Sequence, residues 1–188
     1  MLRAAALLAM LSLLPPAPLE AQQDVPARVG FRLWGGGGLS APLSPTVDDF
    51  DTGIHAHGGL EVLAPSRKLG VRAEVLYQEL WAEQFGDNDD QTLGFAGSVL
   101  FHPRASDEGT FDPYLLAGGG YFTEEFVGGL VAPPVLEASG FGVSAGAGLR
   151  ILIGESVAFY GEGRWLRVLR DGGLHQVSLT VGFTLGGS

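Results

Sequence analysis

His55 and His57 stand two residues apart, so an extended chain turns both to one face, and Glu61 lies on that same face. Two imidazoles and a carboxylate could bind zinc or copper. Glu61, however, lies six residues from His55, far along an extended strand, so the trio reads as polar packing and no metal site is assigned. Asp87-Asn88-Asp89-Asp90, followed by Gln91-Thr92, suggests calcium at first sight. It lacks the glycine at the sixth loop position and a later, correctly spaced glutamate. Asp48, Asp49, Asp51, Glu83, Asp87, Asp89, Asp90, Glu124 and Glu125 therefore read as solvated loop residues, with divalent cations as the second reading. The nearest nucleophile and base in the sequence are Ser178 and His175. Their odd offset turns them to opposite faces of a strand, and no His-x-Ser pair is present. No catalytic residue is assigned. Gly35–Gly38 and Gly118–Gly120 lack the spacing and the lysine of a phosphate loop. Glycine there lets strands bend and leaves room for bulky inward partners such as Trp34.

One further group carries charge in a regular pattern. Arg28, Arg32, Arg72, Arg150 and Arg164, with Glu61, Glu74 and Glu162, fall on the polar side of segments that alternate with a period of two. The final segment shows the alternation most clearly. His175, Val177, Leu179, Val181, Phe183 and Leu185 share one face, and Gln176, Ser178, Thr180, Gly182 and Thr184 share the other. Upstream, Val71, Ala73, Val75 and Tyr77 oppose Arg72, Glu74 and Gln78, and Val143, Ala145, Ala147 and Leu149 oppose Ser144, Gly146, Gly148 and Arg150. Around Pro113–Thr123 both faces are apolar, and Tyr114, Leu116 and Phe122 are placed on the greasy side. Eight such segments of about ten residues match the requirement for membrane-spanning barrel strands. The expected fold is all-β: an eight-stranded antiparallel up-and-down transmembrane β-barrel, its apolar side to lipid and its charged side to a narrow lumen. The longer connections, Ser40–Thr52, Gln84–Asp90, Glu124–Pro134 and Val168–Gly173, fall at one end. Pro65–Lys68, Pro103–Thr110 and Gly154–Ser156 fall at the other. Charges in so narrow an interior must be paired. Candidate pairs are Glu61 with Arg72 or Arg32, and Glu162 with Arg150 or Arg164. Trp34, Tyr77, Trp81, Tyr114, Phe122 and Trp165 are candidates for aromatic girdles at the membrane interfaces. Trp34 thus carries two readings, girdle and lumen.

Composition agrees. The 188 residues are 46% hydrophobic and only 17% charged, against about 25% charged in ordinary soluble domains. A solvent-facing β-surface would carry more lysine and glutamate, and this chain has one lysine. Absence of cysteine excludes disulfide scaffolds, thiol enzymes and lipid attachment through cysteine. The net charge of -10 argues against nucleic-acid binding. At the start, Arg3 precedes an uncharged run from Ala4 to Leu14, prolines at 15, 16 and 18, and Leu19-Glu20-Ala21. This reads as a secretory signal peptide over residues 1–21, with the barrel domain at 22–188.

Three segments resemble a known family. Asp112-Pro113-Tyr114-Leu115-Leu116-Ala117-Gly118-Gly119-Gly120-Tyr121-Phe122 resembles the central strand of OmpA/OmpX-like small outer-membrane barrels. Gly142 to Trp165, with Ala-Gly-Ala-Gly-Leu-Arg, a tight turn and Phe-Tyr-Gly-Glu-Gly-Arg-Trp, resembles the hairpin that follows. Val177–Leu185 is similar to the terminal assembly signal, although Gly186-Gly187-Ser188 follow it where members often end on an aromatic. The resemblance implies an integral outer-membrane protein of a diderm bacterium, inserted by the barrel assembly machinery through Val177–Leu185. Its implied partners are outer-membrane lipid and lipopolysaccharide. The expected role is structural and interactive: a largely plugged lumen, acidic loops outside, no cofactor, no enzyme activity and a monomeric state. A narrow porin or route for small hydrophobic molecules is the alternative, and a lipid A-modifying enzyme the third.

Overall fold

The structure is a computed structural model, and it describes residues 29–43, 51–82, 88–104, 110–127, 136–154, 156–170 and 173–186. The signal-peptide expectation and Arg28 fall outside them, as do Asp48, Asp49, Glu83 and Asp87. Eight strands follow in chain order: β1 (Gly30–Pro42), β2 (Gly53–Leu63), β3 (Leu69–Ala82), β4 (Asn88–Phe101), β5 (Phe111–Val127), β6 (Leu136–Leu152), β7 (Val157–Val168) and β8 (His175–Leu185). Each pairs antiparallel with its sequence neighbour, and β1 pairs with β8, closing the barrel. Closure satisfies every strand edge internally, which lipid demands. Among the described residues, no helix is long and apolar enough to cross a membrane.

Alternation decides which side faces out. Phe31, Leu33, Leu60, Val71, Phe95, Phe141, Leu179 and Val181 are exposed on the outer wall, while Glu61, Arg72, Gln78 and Arg150 are fully buried inside. Large exposed apolar side chains around a whole barrel mark a lipid-facing wall, since a soluble protein keeps such patches small. On β5 the outward aromatics Phe111 and Tyr121 are ten residues apart. At about 3.4 Å per residue and a tilt of about 40°, they bound an apolar band about 25 Å tall.

Three girdle candidates face the other way. Trp34, Tyr114 and Phe122 point into the barrel and are buried, as is Leu116. On β5 both faces are apolar, so periodicity carries no direction there, and closure assigns it. An eight-stranded barrel has an interior that side chains fill, and large rings supply the volume. These rings sit over glycines. A Cβ on Gly148 would lie 2.3 Å from the Tyr114 ring, and one on Gly94 would lie 2.4 Å from Phe122. Tyr77 and Trp81 are exposed on the outer wall, and Trp165 is half-exposed there. All three stand toward the end with the longer connections.

The strands also outrun the expected connections. β1 continues to Pro42, β4 begins at Asn88 and β5 continues to Val127, so Asp89, Asp90, Glu124 and Glu125 belong to ladders rather than loops. β5 and β6 pair from Phe111↔Ile151 to Phe126↔Leu136, well past the level at which β7 ends. Acidic composition suggested a loop, yet ladder hydrogen bonds form independently of side-chain polarity once the partner strand is present.

Candidate functional site

The lumen is built in layers. Register sets Arg32 beside Glu61 and Glu61 beside Arg72 across β1, β2 and β3. Glu61 receives Arg32 Nη1 at 3.3 Å and Arg72 Nη2 at 3.1 Å, and it also receives Arg150 Nη2. Arg72 extends its other nitrogen, Nη1, to Glu162 Oε2 at 2.8 Å. Glu162 further accepts from the Tyr114 hydroxyl at 2.8 Å and from Arg164 Nη2 at 2.7 Å. Arg164 then reaches Glu74. Arg72 lies 4.2 Å over the Trp34 ring, and Arg150 lies 4.7 Å over Tyr114, so stacked rings occupy guanidinium faces that carboxylates leave open.

Three of these links run across the barrel rather than along its wall. Arg72 to Glu162 and Arg164 to Glu74 join β3 to β7, and Arg150 to Glu61 joins β6 to β2. In an eight-stranded ring these are opposite walls. Glu162 pairs with Arg164 and Arg72, and Arg150 goes instead to Glu61 and Asp112.

The network has two extensions that sequence reasoning missed. Toward the short-turn end, Asp112 accepts from His102 Nδ1 at 2.8 Å and from Arg150 Nη1 at 3.5 Å. Asp112 sits inside the quoted β5 motif, and its parity with Tyr114 was the available signal. Toward the long-connection end, Glu124 points inward, is buried, and accepts from Arg170 Nη2 and from the Leu174 backbone N–H at 3.5 Å. That is a correction to its reading as an outer-loop acid. Leu174, whose backbone N–H bonds Glu124, packs in an apolar cluster with Leu76, Leu80, Phe122, Leu166 and Val168.

His55 and His57 are both buried in the lumen. His55 has Ser40 Oγ at 2.9 Å from Nδ1 and Thr180 Oγ1 at 2.8 Å from Nε2, so both ring nitrogens are engaged. Ser40 donates onward to Gln78 Oε1 at 3.2 Å, and Gln78 donates to Gln176 at 2.7 Å. Ser40 Oγ thus bridges the His55 ring and the Gln78 amide in one buried hydrogen-bonded chain. His57 packs edge-on to Trp34 at 4.7 Å, with Glu74 at 3.8 Å from Nδ1. Glu61 is engaged by its three arginines. Ser178 faces inward and donates to the Arg164 carbonyl at 3.4 Å, while His175 is half-exposed and accepts from Trp165 Nε1 at 2.9 Å. No cluster of three or more metal-ligating side chains occurs among the described residues.

An apolar outer wall, closed ladders and an ion-paired interior define a transmembrane β-barrel. The sequence narrows this class further: the model of the family described as "Outer membrane protein beta-barrel domain" matches residues 4–185, and the chain belongs to that family of outer-membrane barrels. Three solved structures share the fold. Neisserial surface protein A aligns with a TM-score of 0.61 at 11% identity, over 82% of this chain and 96% of its own. A major outer membrane protein from Thermus thermophilus aligns with a TM-score of 0.60 at 12% identity, over 85% and 99%. The N-terminal barrel domain of Pseudomonas aeruginosa OprF aligns with a TM-score of 0.52 at 14% identity, over 83% and 99%. A search of curated protein sequences returns no match.

Proposed function

We propose that this chain is an integral outer-membrane barrel with a sealed lumen, acting as a structural and surface-presenting element of the envelope rather than as a pore or an enzyme. The observation that carries the reading is the set of three ion-paired links joining opposite walls. Among the described residues, five inward carboxylates (Glu61, Glu74, Asp112, Glu124, Glu162) are matched by five arginines (Arg32, Arg72, Arg150, Arg164, Arg170), so their formal charges cancel and favour neither sign of ion. A cavity between His57, Gln78, Phe122, Arg164 and Gln176 measures about 10 Å³, room for about one water. The apolar cluster around Leu80 and Leu174 adds a dry layer toward the long-connection end.

In this reading residues 1–21 direct export, Val177–Leu185 is read by the barrel assembly machinery, and the barrel works as a monomer. Tyr77, Trp81 and Trp165 form part of an aromatic girdle at the outer interface. The longer connections, with their acidic residues, face outside. The test is planar-bilayer recording with purified barrel whose folding is verified by heat-modifiable gel mobility. Silent membranes, or only rare brief events, are expected. Stable open steps of porin size overturn the sealed lumen.

A further inference from the structure

Among the described strand residues, one cation faces away from the lumen. Arg167 on β7 lies between the inward, buried Leu166 and Val168, so its side chain leaves the barrel and is exposed. The other strand arginines, Arg32, Arg72, Arg150 and Arg164, all enter lumen ion pairs. Arg167 has no ion-pair or hydrogen-bond partner among the described residues.

Its neighbours are apolar and aromatic. Arg167 is in register with Val143 on β6 and His175 on β8. One outward position below it is Trp165, tied to His175 through its indole N–H, and one above it is the exposed Leu169. The outward carboxylates whose side chains are described on the strands are Glu79 and Glu125. Glu79 stands on β3, the opposite wall. Glu125 is six residues along β5 from Gly119, which is level with Val143 and so with Arg167. Six residues span about 20 Å, too far for an ion pair.

A guanidinium on a lipid-facing wall is costly at the bilayer midplane and tolerated at the interface, where headgroup phosphates are within its reach. Trp165 beneath it marks interface depth. Among the described residues no carboxylate lies within reach of Arg167, and the membrane surface beside it offers phosphate anions. We infer that Arg167, above the Trp165–His175 pair, is a binding site for the phosphate of an anionic lipid headgroup in the outer leaflet. This rests on the reading that the longer connections face outside. Guanidinium offers a planar fork that matches two phosphate oxygens. Val177, exposed and in register with Trp165 one outward position below Arg167, supplies apolar contact for the acyl chains beneath that headgroup.

The test is native mass spectrometry of the full barrel in neutral detergent, with bis-phosphorylated lipid A as probe and its dephosphorylated form as control. Wild type retains the phosphorylated probe. Removing the phosphates, or making Arg167→Ala, lowers apparent affinity about fivefold, the weight of one cation near a charged lipid surface. Arg167→Lys, which keeps charge but loses the fork, falls between the two and serves if the alanine variant fails to fold. Glu79→Gln on the opposite wall leaves retention unchanged. Equal retention by wild type, Arg167→Ala and Arg167→Lys overturns the inference, as does full displacement by equimolar inorganic phosphate. Labelling of Leu169→Cys on intact cells checks orientation separately, and a conducting lumen would count against the sealed barrel without altering lipid retention.

Discussion

Glu61→Ala removes one carboxylate from beneath three guanidinium groups. The side chain is completely buried and holds Arg32 at 3.3 Å, Arg72 at 3.1 Å and Arg150. Removing one partner of a buried ion pair typically costs about 3–5 kcal/mol, because the other charge stays behind uncompensated. Each stranded arginine here keeps a second carboxylate. Arg72 still has Glu162 at 2.8 Å, and Arg150 and Arg32 still have Asp112 at 3.5 and 3.7 Å. That redundancy places the cost at the low end, about 3 kcal/mol, or roughly a hundredfold in the unfolding equilibrium. Urea titration of barrel refolded into vesicles, read by heat-modifiable mobility, measures it. In the double variant Glu61→Met with Arg150→Met, the loss should be smaller than the sum of the single losses, because neither charge is then left facing a missing partner. A loss for Glu61→Ala below about 1 kcal/mol, the level of an exposed pair, would mean that Glu61 is hydrated and the lumen wet, and would refute the sealed-core reasoning.

Two further outcomes bear on the packing. Gly94→Ala drives a methyl to 2.4 Å from the Phe122 ring, so the thermal midpoint of the gel shift should fall by the equivalent of about 1–3 kcal/mol, with Phe122→Leu in the same chain recovering much of it. Among the three tryptophans, single-tryptophan variants in brominated-lipid vesicles should show strong quenching for Trp81 and Trp165 and weak quenching for Trp34; equal quenching of all three would contradict the inward placement of Trp34.

Where the two faces of a strand differ, their direction was readable from sequence alone. β3 and β8 are of this kind: Val71, Ala73 and Val75 alternate with Arg72 and Glu74, and the structure keeps that parity. β5 is the counterexample. Leu115, Ala117 and Tyr121 are as apolar as Tyr114, Leu116 and Phe122, so a one-residue shift changes nothing that periodicity can detect. The acids at the long-connection end failed for a related reason. Glu124 lies in a polar stretch that resembles a loop, and only pairing with β4 and β6 turns it into the lumen beside Arg170.

Pairs between neighbouring strands were legible because local register follows from hairpin order: Arg32, Glu61 and Arg72 are neighbours once β1, β2 and β3 form a meander. Hairpin order says nothing about which residues meet across a diameter. Arg72 and Glu162 are 90 positions apart, and Arg150 and Glu61 are 89 apart. Their meeting depends on the tilt and stagger with which β1 closes on β8, a property of the whole ring. The period-two pattern, low charge and glycine content therefore determined a lipid-facing barrel with a charged interior, because those features reflect the solvent on each side of a strand. Which arginine meets which carboxylate, and that the links cross the lumen, was decided only by closure, since the opposite walls acquire fixed distances when the last strand pairs with the first.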